Sequence, residues 1–239
     1  MKQMITDTAA QGAVVTSEAI LALLAEKPDA LLCLAAGHSS LPVFEQLLAA
    51  KQRGTDFSKA RFVGLDEWIG VAPTYEGSCW NFLYRSLFTP LGIDPSRICL
   101  FDSLCADPEA ECRRIEQHIE HSGGIDFLLL GMGLNGHLGL NEPGDSFANG
   151  AHVTPLSQTT REVAPKYFLG DMPPLTHGMT LGAKNIVAAR SIHLTVFGAH
   201  KRQALQTLLH SPVSEQFPAS LLKNCPHAVL VADREALPQ

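Results

Sequence analysis

Ala30-Leu31-Leu32-Cys33-Leu34-Ala35-Ala36, followed by Gly37-His38-Ser39-Ser40 and then by Leu41 to Arg53, is the stretch on which the fold turns. The apolar run is short and ends at a glycine, which is the signature of a buried strand and not of a helix. In the segment after the loop, Leu41, Phe44, Leu47 and Leu48 recur at helical spacing and make one apolar face. Outward from this strand, loop and helix the same alternation recurs. Arg61 to Leu65, Ile98 to Phe101, Ile125 to Leu130, Ser191 to Phe197 and Ala228 to Ala232 read as strands bounded by Gly, Pro, Asp or Asn. Ser17 to Ala25, Ser78 to Leu87, Asp107 to Ser122 and His200 to Leu209 read as helices, the third opened by an Asp N-cap. The alternation predicts an α/β fold: a doubly wound, mostly parallel, Rossmann-like sheet in three αβα layers. No composition break divides the 239 residues, so one domain over 1–239 is expected.

Hydrophobic residues make up 46% of the chain and charged residues 18%, the balance of a packed globular protein. A net charge of −6 argues against nucleic acid as a partner, because that affinity rests on clustered Lys and Arg. A small anion still fits, since a few aimed N–H groups and one or two cations hold it. The six cysteines, at positions 33, 79, 99, 105, 112 and 225, include no C-x-x-C pair and read as reduced thiols. The N-terminus has no signal pattern, and no run approaches the roughly 20 apolar residues of a membrane span, so a cytoplasmic protein without a membrane partner is expected. Neither HExxH nor clustered His spacing appears among the ten histidines, and no metal is expected. A G-x-S-x-G elbow is likewise missing, which removes the common serine-hydrolase reading.

In a doubly wound sheet, ligands bind beyond the carboxyl ends of the strands, so the segments following each strand are where chemistry belongs. Gly37, His38, Ser39 and Ser40 place a permissive backbone and two hydroxyls at a helix N-terminus, which suits phosphate; a turn glycine and a capping serine are the equal alternative. Asp66-Glu67-Trp68 sets a carboxylate pair at a strand end beside an indole, where partial desolvation would raise a general base toward working pH; a solvated Asp-Glu loop pair is the commoner alternative. The strongest signal is Gly131-Met132-Gly133-Leu134-Asn135-Gly136-His137-Leu138-Gly139-Leu140-Asn141-Glu142-Pro143-Gly144. Its glycines imply close backbone approach to a ligand, beginning at Gly131, while His137 and Glu142 bring a proton-transfer pair to the same place. Gly198-Ala199-His200-Lys201 opens another helix with an ammonium near its start, an unfavourable placement that a bound anion would explain.

Over nearly its whole length the chain resembles the glucosamine-6-phosphate deaminase and 6-phosphogluconolactonase superfamily. The matching signatures are Gly64 to Trp68, Gly131 to Gly144, Lys201, and Phe217-Pro218-Ala219-Ser220-Leu221-Leu222. The ending Asn141-Glu142-Pro143 is similar to the deaminase branch. The resemblance implies an isomerase and deaminase, classed also as a hydrolase, that needs no cofactor. Asp66 would move a proton from carbon 2 to carbon 1 of the ring-opened sugar, and His137 would promote ring opening with Glu142 orienting it. Gly37, Ser39 and Lys201 would hold the phosphate. Asn135 stands where glucosamine-6-phosphate deaminases usually carry Asp, which resembles the galactosamine-6-phosphate subgroup and leans the expected substrate to that epimer, with tagatose 6-phosphate and ammonia as products, and glucosamine 6-phosphate giving fructose 6-phosphate as the next choice. Lys166 aligns with the family's phosphate-binding Arg, with Arg161 as a substitute, and Asn149 to His177 would form a lid. A lactonase and a non-catalytic sugar-phosphate sensor are the rival readings, and a homo-oligomer is possible.

The longer regulated members of the family bind an activator through basic residues that match His152 and Thr154 here. The loss of that positive pair predicts no activation by N-acetylglucosamine 6-phosphate. Substrate saturation should be hyperbolic with or without this compound, and a sigmoidal curve that it makes hyperbolic would refute the expectation.

Overall fold

The computed structural model describes residues 1–168 and 173–238. Strand β1 (Lys2–Thr6) and helix α1 (Ala9–Glu26) precede β2 (Leu31–Leu34), α2 (Leu41–Gln52), β3 (Arg61–Val63) and β4 (Asp66–Trp68). Helix α3 (Cys79–Leu83) runs through a π turn at Tyr84–Phe88 into the single turn α4 (Thr89–Leu91), and β5 (Ile98–Cys99), α5 (Pro108–His121) and β6 (Phe127–Gly131) follow. The remainder comprises β7 (His152–Pro155), α6 (Gln158–Val163), β8 (His177–Thr180), α7 (Ala183–Ala188), β9 (Ile192–Val196), α8 (Arg202–His210) and β10 (Ala228–Asp233).

Seven strands form one parallel sheet in the order β1-β10-β9-β6-β2-β3-β5. Apolar residues alternate between its two faces because successive side chains on a strand point to opposite sides. On β2, Leu31 and Cys33 enter a core shared with Cys112 and Ile115 of α5 and Leu205 and Leu208 of α8. Leu32 and Leu34 enter the other core, with Ile20 and Leu24 of α1 and Phe44 and Leu47 of α2. Both faces are therefore covered, and the expected three-layer, doubly wound architecture is present. This double burial is why the central strands read as unbroken apolar runs.

The expectation that no run approaches a membrane-spanning length needs correction. Helix α1 is 18 residues long and apolar enough, by length and composition, to cross a membrane. It packs on the sheet instead, burying Ala13, Thr16, Ser17, Ile20 and Leu24. Its start lies well before Ser17 because the Thr8 side chain accepts a hydrogen bond from Gln11 N and caps the first turn.

A second sheet, β4-β8-β7, is antiparallel and was not legible in the sequence. Asp66 pairs with Thr180 and Trp68 with Gly178, so Asp66-Glu67-Trp68 is a strand of its own and neither the end of the preceding strand nor a solvated loop. Three residues of mixed polarity carry no usable period. Within the expected lid at 149–177, β7 is a strand of this sheet and α6 follows it in the chain, while residues 169–172 lie outside the described residues.

At the amino end of β6, the buried Asp126 accepts a hydrogen bond from Leu31 N at 2.8 Å and pairs with Lys27 and Arg190, each at 2.9 Å. Both cations are substantially exposed, so the ion pairs contribute little, whereas the Leu31 N–H has no access to water. Asp126→Ala should therefore cost about 2 kcal/mol of unfolding free energy, mainly through the orphaned amide, and Asp126→Asn distinctly less. Denaturant unfolding would check both values.

Candidate active site

The strand order reverses direction about β2: the chain passes from β2 to β3 on one side, and β6 pairs with β2 on the other. The loops after β2 and β6 must therefore part at their carboxyl ends and leave a crevice. A cavity of about 320 Å³ occupies it, lined by Gly37, His38, Ser39 and Gly131 from these two loops. The loops are in near contact, since a Cβ added to Gly131 would lie 2.5 Å from Ser39 Oγ. Gly37 is extended at φ −178°, so its backbone needs no glycine; no atom lies within 4 Å of where a Cβ would stand. Ser40 does not reach the cavity. Its N–H closes the turn onto Gly37 O, and the turn buries its hydroxyl within the protein.

Asp66, His137, Lys166 and Lys201 also line the cavity. The carboxylate pair on β4 is split by the pleat, which sends neighbouring side chains to opposite faces. Asp66 faces the cavity, where burial raises its carboxyl to about 6, and Cys79 Sγ donates to its Oδ1 at 3.4 Å. Glu67 turns inward to the start of α3, accepting from Trp68 N and Cys79 N on Oε1 and from Trp80 N on Oε2. Burial pushes Glu67 up to about 7 against the pull of these three donors, and its role is to hold α3 against β4.

The His137 ring lies flat against the backbone of Gly133, where an added Cβ would approach it to 2.4 Å. Burial lowers this imidazole to about 4; Glu142 opposes the shift, and Lys201 and Lys166 reinforce it. Glu142 and Asn135 sit behind the ring and not on the cavity wall. Glu142 Oε2 is 3.8 Å from His137 Nδ1, beyond hydrogen-bond length, and accepts instead from Asn135 Nδ2 at 3.0 Å. The group at hydrogen-bond distance from Nδ1 is Thr160, with Oγ1 at 3.3 Å.

Lys201 donates to Met132 O at 2.5 Å, and burial together with Lys166 lowers it to about 8. Lys166 Nζ lies 4.9 Å from the centre of the Tyr167 ring, which in turn stacks on His38 at 5.1 Å. Arg161, the alternative to Lys166, is exposed and absent from the cavity wall. Among the described residues no group of three His, Cys, Asp or Glu side chains could hold a metal.

Thr160, Ser157, Cys79 and Tyr167 were missed from sequence. Ser157 and Thr160 form an N-cap pair that is legible as a helix start, but nothing in their spacing points to His137.

The chain matches, over residues 3–231, the family described as glucosamine-6-phosphate isomerases/6-phosphogluconolactonase. A glucosamine-6-phosphate deaminase of Geobacillus sp. (strain WCH70) is 38% identical over 224 residues, covering 92% of this chain and 88% of that one. The solved structure of a monomeric glucosamine-6-phosphate deaminase superposes with a TM-score of 0.94 at 33% identity, covering 99% and 98% of the two chains. A 6-phosphogluconolactonase from Thermotoga maritima superposes at a TM-score of 0.76, covering 98% of this chain and 99% of its own, but at 20% identity it shows a shared fold alone. The names of the two relatives above 30% identity, both deaminases, overturn the hydrolase class expected from sequence.

The burial of His137 has a direct readout. A proton NMR titration should place its midpoint near 4, and Gly133→Ala, by lifting the ring off the backbone toward water, should move that midpoint up toward the ordinary imidazole range.

Proposed function

The chain belongs to the glucosamine-6-phosphate isomerase/6-phosphogluconolactonase family, and on that premise we propose that it is an enzyme that isomerises and deaminates an amino-sugar 6-phosphate, with glucosamine 6-phosphate as substrate. The observation that carries this reading is the meeting of a desolvated carboxylate, Asp66, and a neutral imidazole, His137, in one cavity with two lysines. Lys201, Lys166 and the Gly37 to Ser39 turn hold the phosphate, the turn leading directly into α2 so that the helix N-terminus adds its partial positive charge. His137 assists ring opening by proton transfer at a sugar oxygen. Asp66 then takes the proton from carbon 2 and returns one to carbon 1, which converts the enolamine to a carbon 2 iminium. Water adds to that carbon and ammonia leaves, giving the ketose 6-phosphate. These steps need a base that is ionised yet poorly solvated near neutrality, and a carboxyl near 6 meets both conditions.

Asn135 leaned the sequence reading toward galactosamine 6-phosphate. Asn135 lies behind His137 and off the cavity wall, and several of the relatives, though not all, are named for the gluco epimer. The reading adopted here is therefore glucosamine 6-phosphate.

Ammonia release from the gluco and galacto substrates, measured in parallel with a chelator present, tests the activity and the epimer together. Silence with both would sink the reading. Asp66→Asn should lower kcat about 1000-fold while leaving KM nearly unchanged. Activity within a few fold of the unsubstituted enzyme would remove Asp66 from its role. The pH dependence of kcat/KM should be bell-shaped. The acid limb falls below about pH 6, as Asp66 gains a proton and ceases to be a base, and the alkaline limb falls above about pH 8, as Lys201 loses its charge.

A further inference from the structure

Which nitrogen of His137 carries the proton decides whether the ring meets the sugar as a donor or as an acceptor. Nδ1 faces inward, toward Thr160 and Glu142. Nε2 makes no hydrogen bond among the described residues and is not shut off from solvent.

Behind Nδ1, the donors and acceptors can be counted. The Asn135 amide is oriented by Glu142: its Nδ2 donates to Glu142 Oε2 at 3.0 Å, and the flipped orientation would set two oxygens against each other. The second proton of Nδ2 goes to Ser157 Oγ at 3.3 Å, while Asn135 Oδ1 accepts from His137 N at 3.2 Å. Ser157 Oγ also accepts from Thr160 N at 3.2 Å, as the N-cap of α6. With both of its lone pairs taken, Ser157 gives its own proton to Thr160 Oγ1 at 3.2 Å. Thr160 is buried, and its hydroxyl proton is left pointing at His137 Nδ1, 3.3 Å away.

We propose that Asn135, Ser157 and Thr160 form a one-way hydrogen-bond relay that holds neutral His137 with its proton on Nε2, so that the ring presents an N–H donor to the sugar. Thr160, at the end of the relay, is a positioning residue, and the direction of the relay is set by the amide at position 135. An acid there, even where it shares a proton with Glu142 Oε2, offers Ser157 only an acceptor, so Ser157 would donate to it, Thr160 would donate to Ser157, and Thr160 Oγ1 would accept from Nδ1–H. The one exchange of amide for acid reverses the chain and the tautomer. Glu142 remains the near anion in both cases, with Lys201 and Lys166 the cations that face the ring. The consequence for turnover rests on the deaminase reading above; the tautomer itself does not.

Long-range proton–nitrogen NMR of the ¹⁵N-labelled full chain at pH 7, with His137 identified by its loss in His137→Gln, reads the tautomer directly. The expected pattern is Nε2–H in the unsubstituted protein and Nδ1–H, or the doubly protonated ring, in Asn135→Asp. Thr160→Val should lose the preference and lower kcat about tenfold with KM within about twofold, and Thr160→Ser should restore kcat to within about threefold. Nδ1–H in the unsubstituted protein, an unchanged pattern in Asn135→Asp, or full kcat in Thr160→Val would each overturn the relay. If Thr160→Val does not fold, the first two spectra still decide. Absence of deamination with the expected tautomer would count against the function and not the relay, and the reverse result against the relay alone.

Discussion

Strand β2 hydrogen-bonds β3 on one side and β6 on the other, and the chain continues from it toward β3 while β6 and the strands beyond it fill the opposite half. The loops after β2 and β6 are thereby forced to diverge at one end of the sheet, and the residues that line the cavity are arranged around that divergence. The 37–39 turn and Gly131 form its floor and the glycine-rich segment carries His137 to its edge. The second sheet supplies Asp66 from β4. Were β2 and β6 separated by another strand, Gly131 would not lie against Ser39, and the two halves of the site would not form one cavity.

Desolvation is the common cause of the site's electrostatics, acting with opposite sign on acids and bases. It raises Asp66 and lowers His137 and Lys201. Asp66 and Lys201 are thereby brought close to neutrality, whereas His137 is carried away from it and is uncharged at neutral pH. The arrangement has a thermodynamic cost. A carboxyl whose folded pKa is raised favours the fold at pH values below its unfolded pKa, and this contribution is lost as pH rises through about 6, so Asp66 works against stability at neutral pH, where the proposed function needs it ionised. The large cores on the two faces of the sheet offset that cost.

The neighbouring carboxylates show how geometry separates groups that are adjacent in sequence. Asp66 and Glu67 are equivalent by composition, yet the pleat of β4 gives one to the cavity and the other to the backbone amides of α3. Likewise Glu142, read from sequence as the partner of His137, stands 3.8 Å from it, while Thr160 approaches from a helix more than twenty residues further along the chain.

The chain's local patterns were enough to determine the three-layer α/β fold, because buried parallel strands and amphipathic helices announce themselves by run length and period, and helix starts such as Asp107 by their caps. They also located Asp66, His137, Lys201 and the 37–39 turn, since unusual residue types at strand ends are visible without coordinates. Only the tertiary structure decided the rest. The antiparallel sheet of β4, β8 and β7 consists of strands too short to carry a period, and β4 finds its register on β8, a partner more than a hundred residues away. The exclusion of Ser40 and Arg161 from the cavity, and the recruitment of Thr160, Ser157 and Cys79 around Asp66 and His137, follow from which side of a turn or helix faces inward once the layers have packed. That is a property of long-range contacts, which no local spacing encodes.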